Sequence, residues 1–110
     1  MANELKIIQD FYDFMLWMIK HIEKYPRHHR YSLGLAMESR MQKILELLLK
    51  AKYHRGKNDI LSDANIELEI LRFQLRISKD LKILTVKSYG YGSKCLLEVG
   101  SQAGGWLKSK

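Results

Sequence analysis

Residues that break helices are almost absent from the first two thirds of this chain. Pro26 is its single proline, and five of its seven glycines fall after residue 89. Proline costs a helix interior about 3 kcal/mol and glycine about 1 kcal/mol relative to alanine, so long uninterrupted helices are expected before that point. Apolar side chains also recur there every three or four residues, as they do on one face of a helix. The sequence therefore predicts an all-α fold.

The apolar periodicity divides the 110 residues into four helices of similar length. Their expected ranges are about 3–24, 32–54, 58–82 and 85–107. Ser32 and Thr85 are the predicted N-caps of the second and fourth helices, and a start one turn earlier is the alternative for the second. Short connections favour an antiparallel up-down-up-down four-helix bundle, formed by a single domain over residues 1–110. Alternatively, Gly104 and Gly105 end the fourth helix early and leave a C-terminal tail.

Helices one and three carry more apolar residues than one core requires. Helix one has two apolar stripes side by side, called files here. The main file is Leu5, Ile8, Tyr12, Met15, Ile19 and Ile22. The second file is Ile7, Phe11, Phe14 and Met18. Helix three has the same arrangement: Leu61, Ala64, Leu68, Leu71 and Leu75, then Ile66, Ile70, Phe73 and Ile77. Either the core is broad, or the extra files pack against neighbouring subunits with Trp17 as an interface anchor.

Helix four is the one that glycine weakens. Its five glycines are Gly90, Gly92, Gly100, Gly104 and Gly105. Because each destabilises an isolated helix by about 1 kcal/mol, we expect close backbone approach to neighbouring helices to be the reason for them.

Positive charge is the feature that restricts the partner. Nineteen lysines and arginines against 12 acids leave a formal net charge of +7, which favours a polyanion such as nucleic acid, an acidic protein or an anionic membrane surface. An antiparallel bundle places its first and third turns at one end, where nine cations meet Glu23 and Asp80. The nine are Lys20, Lys24, Arg27, Arg30, Arg72, Arg76, Lys79, Lys82 and Lys87. The other end holds Lys50, Lys52, Arg55 and Lys57 without an intervening acid.

Two tyrosines, Tyr25 and Tyr31, flank the first of these turns. They either stack on bases or pack against the helix ends. The cations around them favour binding of a polyanion at this end, and a solvated charged face is the alternative.

Motifs for catalysis or metal binding are absent from the sequence. It has no phosphate-binding glycine loop, no zinc-protease motif and no nucleophile elbow, so we expect no enzymatic activity and assign no catalytic residue. His21, His28 and His29 lack partners at ligand spacing, and no metal or cofactor is predicted. Cys95 has no partner for a disulfide and is expected to be an inert, buried thiol.

No apolar run is long enough to span a membrane and no secretion signal is evident, which predicts a cytoplasmic protein.

Four strings of the sequence resemble the accessory variability determinant (Avd) proteins of diversity-generating retroelements. They are Lys6–Asp13 (KIIQDFYD), Tyr25–Gly34 (YPRHHRYSLG), Leu71–Leu81 (LRFQLRISKDL) and Gly104–Trp106 (GGW). Together they extend over nearly the whole chain in the family's order, and the third is the most distinctive. Avd proteins fall within a wider group of small four-helix proteins similar to the one encoded in intervening sequences of bacterial 23S rRNA genes.

The resemblance implies a four-helix bundle that assembles into a basic homopentameric barrel. It also implies binding to the reverse transcriptase of the retroelement and to RNA or DNA, in support of mutagenic cDNA synthesis. The arginines of the family's helix-three motif fall on Arg72 and Arg76, followed by Lys79, and these are the first candidates for contact with the transcriptase or its template. Lys20, Lys24, Arg27 and Arg30 are candidates because they cluster. Helix four departs from the family pattern at Tyr89–Gly92, which predicts a less regular helix.

Three functions are therefore compared. The favoured one is a non-catalytic adaptor whose basic surface binds nucleic acid and docks a reverse transcriptase. The alternative is a structural or protein-interaction scaffold of the 23S rRNA intervening-sequence type, with no retroelement role. An enzyme such as a nuclease is the weakest, because phosphodiester hydrolysis usually needs clustered acids for metal or a histidine pair in place.

Overall fold

The computed structural model describes residues 4–108 and consists of four helices joined by short turns. The first helix, α1, is Glu4–Ile22. The second, α2, is built of three consecutive segments: an α-helical turn Arg27–His29, a π-helical turn Arg30–Gly34 and the α-helix Leu35–Tyr53. The third, α3, is Lys57–Asp80, and the fourth, α4, is Val86–Lys108. The prediction of an all-α chain with four helices is confirmed; residue 3, the expected start of helix one, lies outside the described residues.

Each helix packs against the next along the chain, and α4 packs back against α1 to close the bundle. The molecule is elongated, with extents of 44 × 23 × 19 Å. One end, called here the turn end, carries the α1–α2 turn (residues 23–26) and the α3–α4 turn (residues 81–85). The opposite end, the loop end, carries the α2–α3 loop (residues 54–56). The helices α1 and α3 lie diagonally, so their outer faces point to opposite sides of the bundle.

None of the helices described within residues 4–108 combines the length and the apolar character that crossing a membrane requires.

The core of the bundle uses one apolar file from each helix. In α2 and α3 it is the expected file, with Met41, Ile44, Leu71 and Leu75 fully buried. In α1 the core is formed by the second file together with Ile22 of the main file, and the side chain of Leu5, also of the main file, lies outside the described part of the structure. The buried file is Ile7, Phe11, Phe14, Met18 and Ile22, whereas Ile8, Met15 and Ile19 are half-buried and Tyr12 and Leu16 are exposed. Both files have helical spacing, so periodicity alone does not choose between them; the larger phenylalanine rings bury more apolar area.

The helix α2 begins at Arg27, five residues before Ser32 and close to the alternative start one turn earlier. The backbone amides of His29 and Arg30 both donate to the carbonyl of Pro26, at 2.9 and 2.8 Å, and so start the helix there. Ser32 is therefore not an N-cap: it lies in the π-helical turn, where its hydroxyl donates to the carbonyl of His28 at 2.6 Å. Gly34 ends that turn against α1, and a Cβ at this position would lie 2.7 Å from Cγ2 of Ile22.

The glycine-rich helix α4 is regular from Val86 to Lys108, so the expectation of an irregular helix is wrong, as is the alternative of an early end. Thr85 is confirmed as its N-cap, since its hydroxyl accepts the amide of Ser88 at 3.0 Å. The explanation offered for the glycines holds at one position only. A Cβ on Gly92 would lie 3.0 Å from Leu75 and 3.1 Å from Trp17, whereas one on Gly90, Gly100, Gly104 or Gly105 would meet nothing within 4 Å.

A Schellman motif ends α3 at the turn end. The amide of Lys82 donates to the carbonyl of Lys79 at 2.9 Å, and the amide of Ile83 donates to the carbonyl of Ser78 at 3.0 Å. This motif requires a left-handed residue, and Lys82 supplies it with φ of 64°. Glycine usually occupies this position, because a Cβ is disfavoured in that conformation.

Replacing Lys82 by glycine is expected to raise the free energy of unfolding by about 0.5–1 kcal/mol, because it removes the steric cost of the left-handed backbone. Urea unfolding followed by circular dichroism measures the change. Lys82→Ala is the matched control, since alanine removes the charge but keeps the Cβ and should give no gain. Equal stabilisation by alanine would show that charge, and not backbone strain, is responsible.

Candidate nucleic-acid interface

The turn end brings together the two basic segments that lie far apart in the sequence. His21 near the end of α1 reaches α4, with 3.4 Å between its Nε2 and the hydroxyl of Ser88. Buried Tyr25, in the α1–α2 turn, has its hydroxyl beside Ser78 near the end of α3. The lysines and arginines that flank these contacts therefore share one end of the bundle, as antiparallel topology requires.

Six cations at this end form what we call the turn-end cluster. Its members are Lys20, Lys24, Arg27, Arg30, Lys82 and Lys87. Within residues 4–108 none of the six makes an ion pair. All are exposed except Arg30, which is half-buried with its guanidinium carbon 5.5 Å from the centroid of the Tyr31 ring. A group of unpaired cations on one surface produces the local positive potential that phosphate backbones seek.

The row of cations on α3 has a different environment, because acids of the same helix accompany it. Arg72 pairs with Glu69 at 3.0 Å. Arg76 and Lys79 share Asp80, at 3.8 and 3.4 Å. Such exposed pairs are weak, about 0–1 kcal/mol, yet they lower the local positive charge. Arg72, Arg76 and Lys79, the first candidates from the sequence, thus lie along one helix, but they are less available to a polyanion than the turn-end cluster.

A shallow groove between α3 and α4 runs beside this row. Its two halves have volumes of about 430 and 330 Å³, and Arg72 lines both. Leu68 and Leu96 lie in the half nearer the loop end, while Phe73 and Tyr89 line the half nearer the turn end. Lys79 lies over the ring of Tyr89, with Nζ 4.7 Å from its centroid. Arginine and aromatic side chains around an apolar floor are typical of protein-binding surfaces.

The aromatic residues at the turn end divide into buried and exposed groups. Tyr25 is only 2% exposed and is closed to base stacking, and burial raises the pKa of its hydroxyl. Tyr31 is 64% exposed and remains available. Trp17 is half-buried between α1 and α4, with its ring centroid 4.2 Å from that of His21 and 5.0 Å from that of Tyr91. A Cβ added at Gly92 would lie 3.1 Å from the indole of Trp17, so this ring takes part in packing α4 onto α1.

An acidic patch lies between α1 and α4, away from these cations. Asp10, Asp13 and Glu98 line a cavity of about 230 Å³ together with Cys95 and Tyr91. Hydrogen bonds from Lys6 and from Gln102 of α4, at 2.6 and 2.8 Å, hold the pKa of Asp10 below its ordinary value. Burial raises the pKa of the half-buried Cys95 thiol, which keeps it protonated and weakly nucleophilic at neutral pH.

Histidines contribute no metal centre to the part of the chain that the structure describes. Over residues 4–108 no three side chains of histidine, cysteine, aspartate or glutamate are grouped so that they would hold a metal ion. The rings of His28 and His29 lie 4.0 Å apart, centroid to centroid, on the surface of the first turn of α2. They add polar donors to the turn end.

Comparison with known proteins decides the family. The model of the bAvd-like family matches residues 5–110, almost the whole chain. The protein belongs to the bAvd-like family. No curated protein and no solved structure matches the chain. The resemblance to Avd proteins drawn from the sequence is thereby confirmed.

In this bAvd-like chain, two of the four strings that carry the resemblance reach the turn end. Tyr25–Gly34 forms the turn and the π-helical start of α2, and Leu71–Leu81 forms the second half of α3. The glycine-tryptophan string lies in the last turns of α4, where Trp106 is part of the core. Sequence reasoning included Lys82 and Lys87 in the charge cluster but gave them no binding role. No local signal in the sequence distinguishes Lys82, because its left-handed position at the end of α3 is seen only in the structure.

Proposed function

We propose that this bAvd-like protein is a non-catalytic, cytoplasmic accessory protein of a diversity-generating retroelement. It binds nucleic acid and the reverse transcriptase and so supports mutagenic cDNA synthesis by positioning template and enzyme together. Family membership supports the retroelement role. The single observation that carries nucleic-acid binding is the turn-end cluster, whose six cations have no ion-pair partner among residues 4–108.

Nucleic acid meets the turn end through its phosphates. Cations on both turns reach one backbone, and no acid other than Glu23 and Asp80 lies in these turns or beside them. Asp80 is already engaged by Arg76 and Lys79. Because no base-reading motif is present, the affinity depends on charge and the sequence specificity is low. RNA and DNA are both ligands of such a surface.

The reverse transcriptase docks on the α3–α4 groove. Arg72 and Arg76 form one wall of the groove, Lys79 extends that wall towards the turn end, and apolar side chains form the floor. Breaking an exposed ion pair within a helix costs little free energy. Both arginines can therefore exchange their acidic partners on α3 for acidic groups of a protein partner. Arg72→Ala with Arg76→Ala should therefore weaken transcriptase binding while helicity and assembly stay intact.

The protein works as a homo-oligomer, a pentameric barrel as the resemblance implies. Exposed apolar side chains outside the groove lie on the diagonal helices: Tyr12 and Leu16 on α1, and Ile66, Ile70 and Ile77 on α3. Surfaces on opposite sides of one subunit join copies head to tail, and such a contact closes into a ring when the rotation from one copy to the next divides a full turn. Light scattering should give a mass several times 13.0 kDa, and a monomer at micromolar concentration would contradict the assembly.

Fluorescence anisotropy of a labelled structured RNA and a matched DNA duplex, each measured over a series of salt concentrations, tests the proposal. Binding should be tight at low salt, with log affinity falling by about 0.9 per neutralised phosphate for each tenfold rise in salt on the duplex. Co-purification with the reverse transcriptase of a retroelement tests the second half. No binding of either nucleic acid at low salt would overturn the proposal and favour the 23S rRNA intervening-sequence type of scaffold.

A further inference from the structure

The loop end carries a second concentration of positive charge, which the proposed function does not use. Residues 50–57 contain four lysine or arginine side chains and no acid, and the nearest acids along the chain are Glu46 and Asp59. Within residues 4–108, Lys50, Lys52 and Arg55 make no ion pair. These three residues resemble the turn-end cluster in having no ion pair within residues 4–108, and they lie at the opposite end of a bundle 44 Å long.

An aromatic ring stands in the middle of these cations. Tyr53, the last residue of α2, is 73% exposed, more than Tyr31 at the other end. Lys52 lies beside it, with Nζ 5.1 Å from the ring centroid. The ring of His54 donates from Nδ1 to the carbonyl of Lys50 at 2.8 Å, which closes the last turn of α2 and fixes the backbone that carries the tyrosine. The backbone that carries the exposed ring is thus held at a defined place.

We infer that the loop end is a separate binding site for single-stranded nucleic acid, in which one base stacks on Tyr53. Lysines and arginines that follow a backbone, together with an exposed aromatic ring, are the two components of single-strand binding surfaces. A duplex keeps its base faces stacked inside and offers only phosphates, so Tyr53 discriminates in favour of single strands. The site goes beyond the proposed function and does not depend on the turn-end cluster.

An anionic membrane is the less suitable partner for this surface. Membrane binding by a basic surface is strengthened by a broad apolar face that enters the headgroup region. Beside Tyr53, Leu49 is the one large apolar side chain exposed near the end of α2. A single exposed ring suits a single base better than it suits a bilayer.

The test is the affinity of Tyr53→Ala for a labelled 12-nucleotide oligouridine and for a DNA duplex of the same length. Stacking contributes about 1–3 kcal/mol per base, so we expect the variant to bind the single strand about tenfold more weakly and the duplex unchanged. Tyr53→Phe keeps the ring and should retain the affinity of the wild type. The site is exposed, so neither substitution disturbs the core.

Two controls separate stacking from charge. Tyr31→Ala removes the exposed tyrosine beside Arg30 at the opposite end, and it should reduce single-strand affinity less than Tyr53→Ala does. An abasic strand of the same length presents phosphates alone, so on it Tyr53→Ala should equal the wild type. Unchanged single-strand binding by Tyr53→Ala, or an equal loss on the abasic strand, would overturn the inference.

Failure of this site is distinguishable from failure of the proposed function. A variant with Lys24→Ala and Arg27→Ala should lose duplex affinity while the effect of Tyr53→Ala on the single strand persists. Duplex binding by the wild type with no effect of Tyr53→Ala would reject the loop-end site alone. If the wild type bound neither probe at low salt, both would be rejected. Binding to vesicles of anionic lipid that is as tight as binding to oligouridine, and equally sensitive to Tyr53→Ala, would replace nucleic acid by a membrane.

Discussion

Replacing Gly92 by leucine is expected to lower the free energy of unfolding by about 2 kcal/mol, since overfilling a packed core costs about 1–3 kcal/mol. A Cβ at this position would lie 3.0 Å from Leu75 of α3 and 3.1 Å from Trp17 of α1, and a leucine side chain extends further into the same space. The helix α4 would have to move away from both neighbours. Urea unfolding followed by circular dichroism measures the loss.

The matched control for Gly92→Leu is Gly90→Leu, two residues earlier in α4. A Cβ at Gly90 would meet nothing within 4 Å, so leucine there should add about 0.5–1 kcal/mol of stability through its higher helix propensity. The two substitutions therefore have opposite signs although their chemistry is identical. Equal destabilisation by both would contradict this, and it would show that Gly90 also packs closely against a surface outside the single bundle.

The glycines illustrate how far sequence reasoning reaches for this fold. Breakers, caps and apolar spacing predict four helices, because these depend on neighbours along the chain. The rotation of α4 about its own axis decides which glycine faces Trp17 of α1 and Leu75 of α3. No local pattern in the sequence encodes that rotation. The same limit applies to α1, whose two apolar files have equal periodicity while only the file containing Phe11 and Phe14 faces the core.

The candidate site shows a different limit. Antiparallel topology was enough to bring the cations of two distant turns to one end. The neutralisation of the α3 row was also readable, since Glu69 and Arg72 are three residues apart, and Arg76 and Asp80 four, which are the spacings of helical ion pairs. What the sequence did not provide was the conformation of single residues. The left-handed backbone of Lys82 and the burial of Tyr25 depend on how the turns pack.

Paired and unpaired cations should differ in their effect on nucleic-acid binding. Lys24→Ala with Arg27→Ala removes two members of the turn-end cluster, whereas Arg72→Ala with Arg76→Ala removes two cations that acids of α3 already accompany. Each double variant lowers the net charge by the same amount, so a difference between them reports position and not total charge. Anisotropy with the labelled duplex over a range of salt concentrations compares the two.

The turn-end variant should bind the duplex about 50-fold more weakly at 0.1 M salt. Each phosphate contact adds about 0.9 log units of affinity when the salt concentration falls tenfold, from about 1 M to 0.1 M, and the variant loses two such contacts. Its salt slope should become shallower by about 0.9 per cation for the same reason. The α3 variant should keep most of its duplex affinity and lose reverse-transcriptase binding instead. Equal losses of duplex affinity would mean that long-range charge governs binding, and the turn end would then have no special place in it.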